Sequence, residues 1–168
     1  SFVSGIQELT DLTVQKLAGE VRTGAPVMAI VKKSGGFELQ LEDGSTFDAE
    51  LVVSAAPAHA LAGMVEELDG MLTATLRETP YAPMNVVCFG YERDKIPRDL
   101  DGFGYLIPRK EGKSILGTLW DSSIFPNRAP AGKVLLRSMM GGATNPGAID
   151  LAETEVKTRV MADLGEIM

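Results

Sequence analysis

Residues 101–120 read DGFGYLIPRKEGKSILGTLW, and they indicate how the second half of the chain folds. It contains two apolar runs, 103–108 and 114–120, joined by a basic turn that includes a glycine. Such runs are typical of β-strands, and a short turn can join only antiparallel neighbours. Glycine is unusual inside a strand because it gives up side-chain packing, so Gly104 and Gly117 require a physical reason.

Two further strand-like runs, 85–91 and 134–140, complete a predicted four-stranded, mostly antiparallel sheet. The sequence Asp150-Leu-Ala-Glu153 has the pattern of a helix N-terminus, with a capping residue followed three positions later by glutamate. We therefore expect a final helix that begins there and covers one face of the sheet.

The first half predicts a helix followed by a β-meander. Ser4 and Gln7 have the spacing of a capping box. The segments 26–31, 37–41 and 51–55 predict three strands, with a turn at Asp43-Gly44, and 58–67 and 70–79 predict two short helices. The fold class predicted for the whole chain is α+β.

Composition excludes several classes of function. The chain has 168 residues, is 45% hydrophobic and carries a net charge of −7, so it should fold, and nucleic acid is not an expected partner. No apolar run approaches the roughly 18 residues of a spanning helix, so we expect membrane contact only through segments absent from this chain. The chain starts without methionine and stops within a helical pattern, which predicts a piece of a longer protein.

Catalytic and metal-binding motifs are missing. Cys88 is the single cysteine and His59 the single histidine, so neither an internal disulfide nor a Cys/His zinc site can form within this chain. His59 is interpreted as an ordinary helix-start residue and Cys88, in the run NVVCFGY, as an inert core residue. The dispersed carboxylates indicate solvated surface. Gly102 and Gly104 do not open a dinucleotide loop, because a strand rather than a helix follows.

The glycine-punctuated apolar strands allow two interpretations. One is a sheet core with bulges, which the spacing alone favours. The other is a binding face for a flat ligand, where missing side chains make room for it.

The order of five motifs is more specific than any one of them. PVMAI, DGSTFDAELVVSAAPAHA, YAPMNVVCFGY, DGFGYLIPRKEGKSILGTLWDSSIFP and LLRSMMGG together resemble the oxygen-dependent protoporphyrinogen oxidase family and its coproporphyrinogen-oxidising relatives, within the amine oxidase group of flavoproteins. The resemblance implies that residues 1–57 are part of an FAD-binding domain and residues 58–168 a portion of a substrate-binding domain. Segments outside this chain would supply the glycine-rich FAD loop and the helical membrane-binding domain.

The resemblance also implies roles for single residues. Val27 in PVMAI matches a valine whose backbone pairs with the adenine of FAD. Positions that contact the tetrapyrrole substrate match Gly104, Leu106, Leu119 and Met139, with Phe103 beside them. Some family members carry an aromatic residue where Met139 stands, so a sulfur contact would replace stacking here.

The implied reaction is the oxidation of protoporphyrinogen IX, or coproporphyrinogen III, to the porphyrin in haem biosynthesis. FAD would accept hydride and dioxygen would reoxidise it. We expect a cytoplasmic parent enzyme, peripheral at the membrane and able to form a homodimer, and a fragment that is inactive and does not retain FAD by itself. The alternatives are a non-catalytic module that binds a hydrophobic ligand or a protein, and a fragment of another amine oxidase or desaturase.

Overall fold

The computed structural model describes residues 2–168 and confirms the α+β class. Within these residues the helices are α1 (Gln7–Lys16), α2 (Ala58–Met64), α3 (Gly70–Arg77), α4 (Asp121–Ile124) and α5 (Glu153–Ile167). The strands are β1 (Val27–Lys33), β2 (Gly36–Leu41), β3 (Thr46–Ala49), β4 (Met84–Glu92), β5 (Gly104–Leu106), β6 (Ile115–Trp120) and β7 (Lys133–Gly141). The chain divides into two compact units, Thr13–Pro80 and Tyr81–Met168, the latter together with the residues up to Leu12.

The unit Thr13–Pro80 contains an antiparallel meander of strand order β1-β2-β3. Its second turn forms at Asp43-Gly44, as predicted, where the Gly44 amide donates to the Leu41 carbonyl at 3.0 Å. The prediction of a strand at 51–55 is wrong. The tight turn returns the chain beside β2 at once, so Thr46–Ala49 occupies that place, and Leu51 and Val53 are 77% and 86% exposed.

The capping box predicted at Ser4 and Gln7 does not form as expected, because neither side chain accepts a hydrogen bond from a helix amide in the described hydrogen bonds. The Ser4 hydroxyl donates to the Glu8 carboxylate at 2.6 Å, and the Ser4 amide donates to the same carboxylate at 3.2 Å. The Gln7 side chain instead donates to Asp11. A carboxylate is the stronger acceptor, so Glu8 takes the place predicted for Gln7. These hydrogen bonds lower the pKa of Glu8 below its usual value.

The unit that contains Tyr81–Met168 is built on a four-stranded sheet, and all of its strand pairs are antiparallel. The strand order is β4-β7-β6-β5, so β7 lies inside the sheet and pairs with both β4 and β6. The predicted four-stranded sheet is thus confirmed, although β5 has only three residues.

Helix α5 covers one face of this sheet, as predicted. Val156, Val160 and Leu164 pack with Ile115 of β6 and Met140 of β7 in the buried core. Between β6 and β7, the buried hydroxyls of Thr118 and Ser138 satisfy each other at 2.9 Å.

The predicted cap of α5 is wrong by two residues. Asp150 ends a 3₁₀ turn, Pro146–Asp150, and the residue before α5 is Ala152, which has no side-chain hydrogen bond to cap the helix. Asp150 therefore lies too early in the chain to reach the free amides of the first turn.

A buried carboxylate connects α5 to the sheet. Asp163 is 7% exposed, and its Oδ2 accepts hydrogen bonds from the amides of Ser114 at 2.7 Å and Ile115 at 3.1 Å. These two amides precede and open β6, so this carboxylate fixes where the strand starts against the helix.

We expect Asp163→Ala to lower the local opening free energy at the start of β6 by about 2 kcal/mol, because two amides lose their acceptor. Hydrogen exchange of the Ser114 and Ile115 amides, measured in the complete protein that carries this chain, should become faster. Asp150→Ala is the matched control, and its exchange should stay near that of the parent. Equal exchange in both variants would contradict the anchoring role of Asp163.

Candidate functional site

The sheet face opposite α5, here called the open face, is described by two rows of directly paired residues. Paired residues in an antiparallel sheet project to the same side. The first row is Leu106, Gly117, Met139 and Val86, and the second is Gly104, Leu119, Arg137 and Cys88. A register irregularity at Leu116 keeps Ile115 on the core side and Gly117 on the open side.

Apolar side chains dominate this face and remain accessible. Leu106 is 78% exposed and Val86 55% exposed, while Leu119 and Met139 are half-buried. Large exposed apolar side chains that adjoin one another indicate a binding surface rather than an ordinary domain surface.

The structure brings together four of the residues singled out from the sequence. Gly104, Leu106, Leu119 and Met139 occupy neighbouring places in the two rows. Phe103 precedes β5 outside the paired register, and its side chain is 74% exposed. Their contact with substrate stays a prediction.

The close pairing of β5 and β6 explains why both strands contain a glycine. Gly104 has φ of +124°, and a Cβ there would lie 2.0 Å from the Thr118 carbonyl oxygen. A Cβ on Gly117 would lie 2.3 Å from the Tyr105 carbonyl oxygen. Both positions require glycine because the backbones approach too closely for any side chain, so a bulged sheet explains them without a ligand.

Cys88 was predicted to be a core residue, and this prediction is wrong. Val87 and Phe89 pack toward the core of the unit, and strand alternation turns the thiol between them to the other side. Cys88 is exposed on the open face, opposite Arg137.

Arg137 is a functional candidate that the sequence reasoning missed. Its Nη2 donates to Asp121 Oδ1 at 2.8 Å, and Asp121 is 6% exposed. The buried Nε of Arg137 has no hydrogen-bond partner. The signal was available in LLRSMMGG, because Arg137 and Met139 have the same parity along one strand and must share a face.

Tyr105, to which no role was assigned, lies between the two open-face residues of β5 and faces the opposite side. It pairs with Thr118, and its hydroxyl is buried. Burial raises the pKa of Tyr105 above its ordinary value, so the phenol stays neutral at physiological pH.

Val27 lies in the other unit and is considered by itself. It opens β1, an edge strand, and pairs with Leu41 next to a register irregularity. An edge strand directs half of its backbone groups away from the sheet, which is what pairing with an adenine would need. A concave region at the other end of the β1–β2 hairpin is lined by Lys33 and by the carboxylates of Glu38, Asp48 and Glu50. Lys33 pairs with Glu38, and the net negative charge that remains would repel nucleotide phosphates.

The chain is a member of a flavoprotein family. Residues 2–168 match the family described as flavin containing amine oxidoreductase, and the chain belongs to this family. Membership implies a flavin cofactor.

Particular relatives narrow the similarity to porphyrinogen oxidases. The chain is 33% identical over 178 residues to protoporphyrinogen oxidase 1, chloroplastic, of Arabidopsis thaliana, covering 100% of this chain and 33% of the relative. It is 28% identical over 166 residues to coproporphyrinogen III oxidase of Bacillus subtilis, covering 98% of this chain and 35% of the relative. The chain therefore spans about a third of the length of these curated relatives.

Solved structures share the fold. A crystal structure from Exiguobacterium, provisionally named a protoporphyrinogen oxidase, matches 99% of this chain and 36% of its own, with a TM-score of 0.84 and 19% identity. A putrescine oxidase variant matches 96% of this chain and 35% of its own, with a TM-score of 0.69 and 14% identity. Over residues 2–168, no helix is long and apolar enough to cross a membrane.

We expect Gly104→Ala to lower stability by about 2 kcal/mol, because the new Cβ overlaps the Thr118 carbonyl and the positive φ is strained. Thermal unfolding of the complete protein measures the loss. Gly90→Ala is the control, since Gly90 lies in β4 with nothing within 4 Å of its Cβ position. That substitution should be neutral or slightly stabilising. Similar midpoints for the two variants would show that close strand approach does not explain Gly104.

Proposed function

We propose that this chain supplies one wall of the substrate pocket in a flavoenzyme that oxidises protoporphyrinogen IX or coproporphyrinogen III to the porphyrin. The observation that carries the proposal is the open face, where Leu106, Leu119 and Met139 adjoin one another around two glycines. The names of the curated relatives support the same substrate class.

The shape of the open face suits a flat apolar ligand. Neighbouring strands are about 4.8 Å apart and alternate residues about 6.8 Å apart, so two rows over four strands offer a patch of about 14 by 7 Å. A macrocycle of linked rings can contact several of these side chains at once. The unbranched thioether of Met139 can adapt to an aromatic ring without fixing its orientation.

The residues of this chain would bind and orient the ring system and keep water from it. When bound, the flavin would supply the redox chemistry by accepting hydride from the substrate, with dioxygen as the final oxidant. Val27 would hold the adenine of FAD through backbone groups at the edge of β1. We propose that the flavin is FAD. We also propose that the complete protein retains FAD and that this chain alone does not.

The domain assignment follows from the same proposal. Residues 1–57 would belong to the FAD-binding domain and residues 58–168 to the substrate-binding domain. A homodimer, peripheral attachment to a membrane and a cytoplasmic location are parts of the proposal that need their own experiments. The compartment differs among relatives, since plant relatives are named chloroplastic or mitochondrial.

We expect Leu106→Asp to weaken porphyrin binding by about tenfold or more, because a carboxylate replaces an apolar contact on the open face. Titration of the complete protein, followed by porphyrin fluorescence, measures the change. Met161→Asp is the matched control, since Met161 is 47% exposed on α5, the helix on the other side of the sheet. Unchanged porphyrin binding in Leu106→Asp would favour the alternative of a face that docks a protein.

Cys88 provides a second measurement that does not depend on activity. We expect bound porphyrin to slow maleimide labelling of the complete protein at Cys88, because the thiol lies on the open face. Mass spectrometry of the Cys88 peptide gives the rate, and Cys88→Ser identifies the labelled site. If the rate is the same with saturating porphyrin, the ligand does not cover this face.

A further inference from the structure

We infer that Arg137 binds a carboxylate at the periphery of the ligand that the open face takes, and so favours acidic tetrapyrroles over their neutral esters. This inference rests on the proposed function. It concerns which tetrapyrroles bind, whereas the proposed function concerns whether any tetrapyrrole does.

Arg137 lies in the middle of the open face. Its Cα is paired with Leu119 on one side and with Cys88 on the other, so its side chain rises from the middle of the second row. Met139 follows two residues later on the same strand and face. The guanidinium thus begins inside the apolar patch and not on an unrelated polar surface.

The guanidinium of Arg137 has hydrogen-bond donors that no protein group among the described residues uses. Arginine carries five N–H donors, and in this side chain one hydrogen bond, from Nη2 to Asp121, is formed at 2.8 Å. Nε is buried and lies out of reach of a ligand. The side chain as a whole is 38% exposed, so the Nη groups supply the donors that a ligand can reach. A group with unused donors beside an apolar surface favours a ligand that brings an acceptor.

Asp121 fits the role of a positioning residue. Its side chain is 8% exposed, and it lies at the start of α4, directly after β6. One fixed ion pair holds the guanidinium in place without using its remaining donors. Arginine is suited to this arrangement because its planar fork can serve two carboxylates at once.

The ligand class follows from the combination of features. A flat apolar ring would lie over Leu119 and Met139, while an acidic substituent at its edge would reach Arg137. A neutral ester of the same ring has the apolar surface but lacks the charge. The comparison of acid and ester therefore isolates the arginine from the rest of the face.

The experiment compares protoporphyrin IX with its dimethyl ester, titrated against the complete protein in the same detergent solution. We expect Arg137→Gln to weaken binding of the diacid about tenfold, equivalent to about 1.4 kcal/mol, and to leave ester binding unchanged. Arg137→Lys should restore part of the diacid affinity, since it keeps the charge but loses the planar fork. Arg159→Gln on α5, where Arg159 pairs with Glu155, is the control and should change neither affinity.

A second variant guards against loss of folding. Arg137→Gln alone leaves Asp121 buried without its cation, so Arg137→Gln combined with Asp121→Asn removes both charges. The double variant should bind diacid and ester with similar affinity. Thermal unfolding monitors the fold of each variant.

The binding results test the inference separately from the proposed function. Loss of the preference for diacid in both variants supports the inference. Equal weakening of diacid and ester, or no weakening of either, overturns it and assigns the Arg137–Asp121 pair to structure alone. If the parent protein binds neither porphyrin, both the proposed function and the inference fail. If the parent protein binds both with equal affinity, the inference is overturned and the proposed function stands.

Discussion

The alternation of side chains along β7 is the constraint on which the rest of the sheet depends. β7 pairs on both sides, so its register fixes β4 and β6 together. Leu136, Ser138 and Met140 are buried on one side, while Arg137 and Met139 emerge on the other. A shift of one residue would exchange the core for the open face, and the buried Thr118–Ser138 hydrogen bond disfavours that shift.

The sequence predicted well those elements in which local signals agree. The runs 85–91, 114–120 and 134–140 became β4, β6 and β7 with their ends moved by one residue at most. Their β-branched and aromatic composition and their polar boundaries favoured strands. The final helix was predicted from a capping pattern and from the helical pattern at the end of the chain, and Val156, Val160 and Leu164 do face the core.

The sequence-based predictions were wrong where the local sequence allows more than one structure and a tertiary contact selects one of them. Residues 51–55 are as apolar as a strand, but the turn at Asp43-Gly44 had already placed Thr46–Ala49 beside β2. Cys88 lies in an apolar run, and only the register of β4 shows that its thiol points away from the core. Asp163 could not be recognised as an anchor from its neighbours in sequence, because the amides that it accepts from lie 48 and 49 positions away.

For the candidate site, the family resemblance selected four residues that share one face, whereas the spacing alone did not choose between a core and a binding surface. In the structure, the glycines serve the strand pairing and also lie on the apolar open face. Gly117 and Gly104 exist because the backbones of β5 and β6 nearly touch, yet each glycine is paired with a large residue, Leu106 or Leu119. Cδ2 of Leu106 already lies 3.1 Å from the place of a Cβ on Gly117, so the leucine leans over the gap that the glycine leaves. The close pairing of two strands therefore leaves two positions of the open face without side chains beside Leu106 and Leu119, and this gives a planar ligand room to approach.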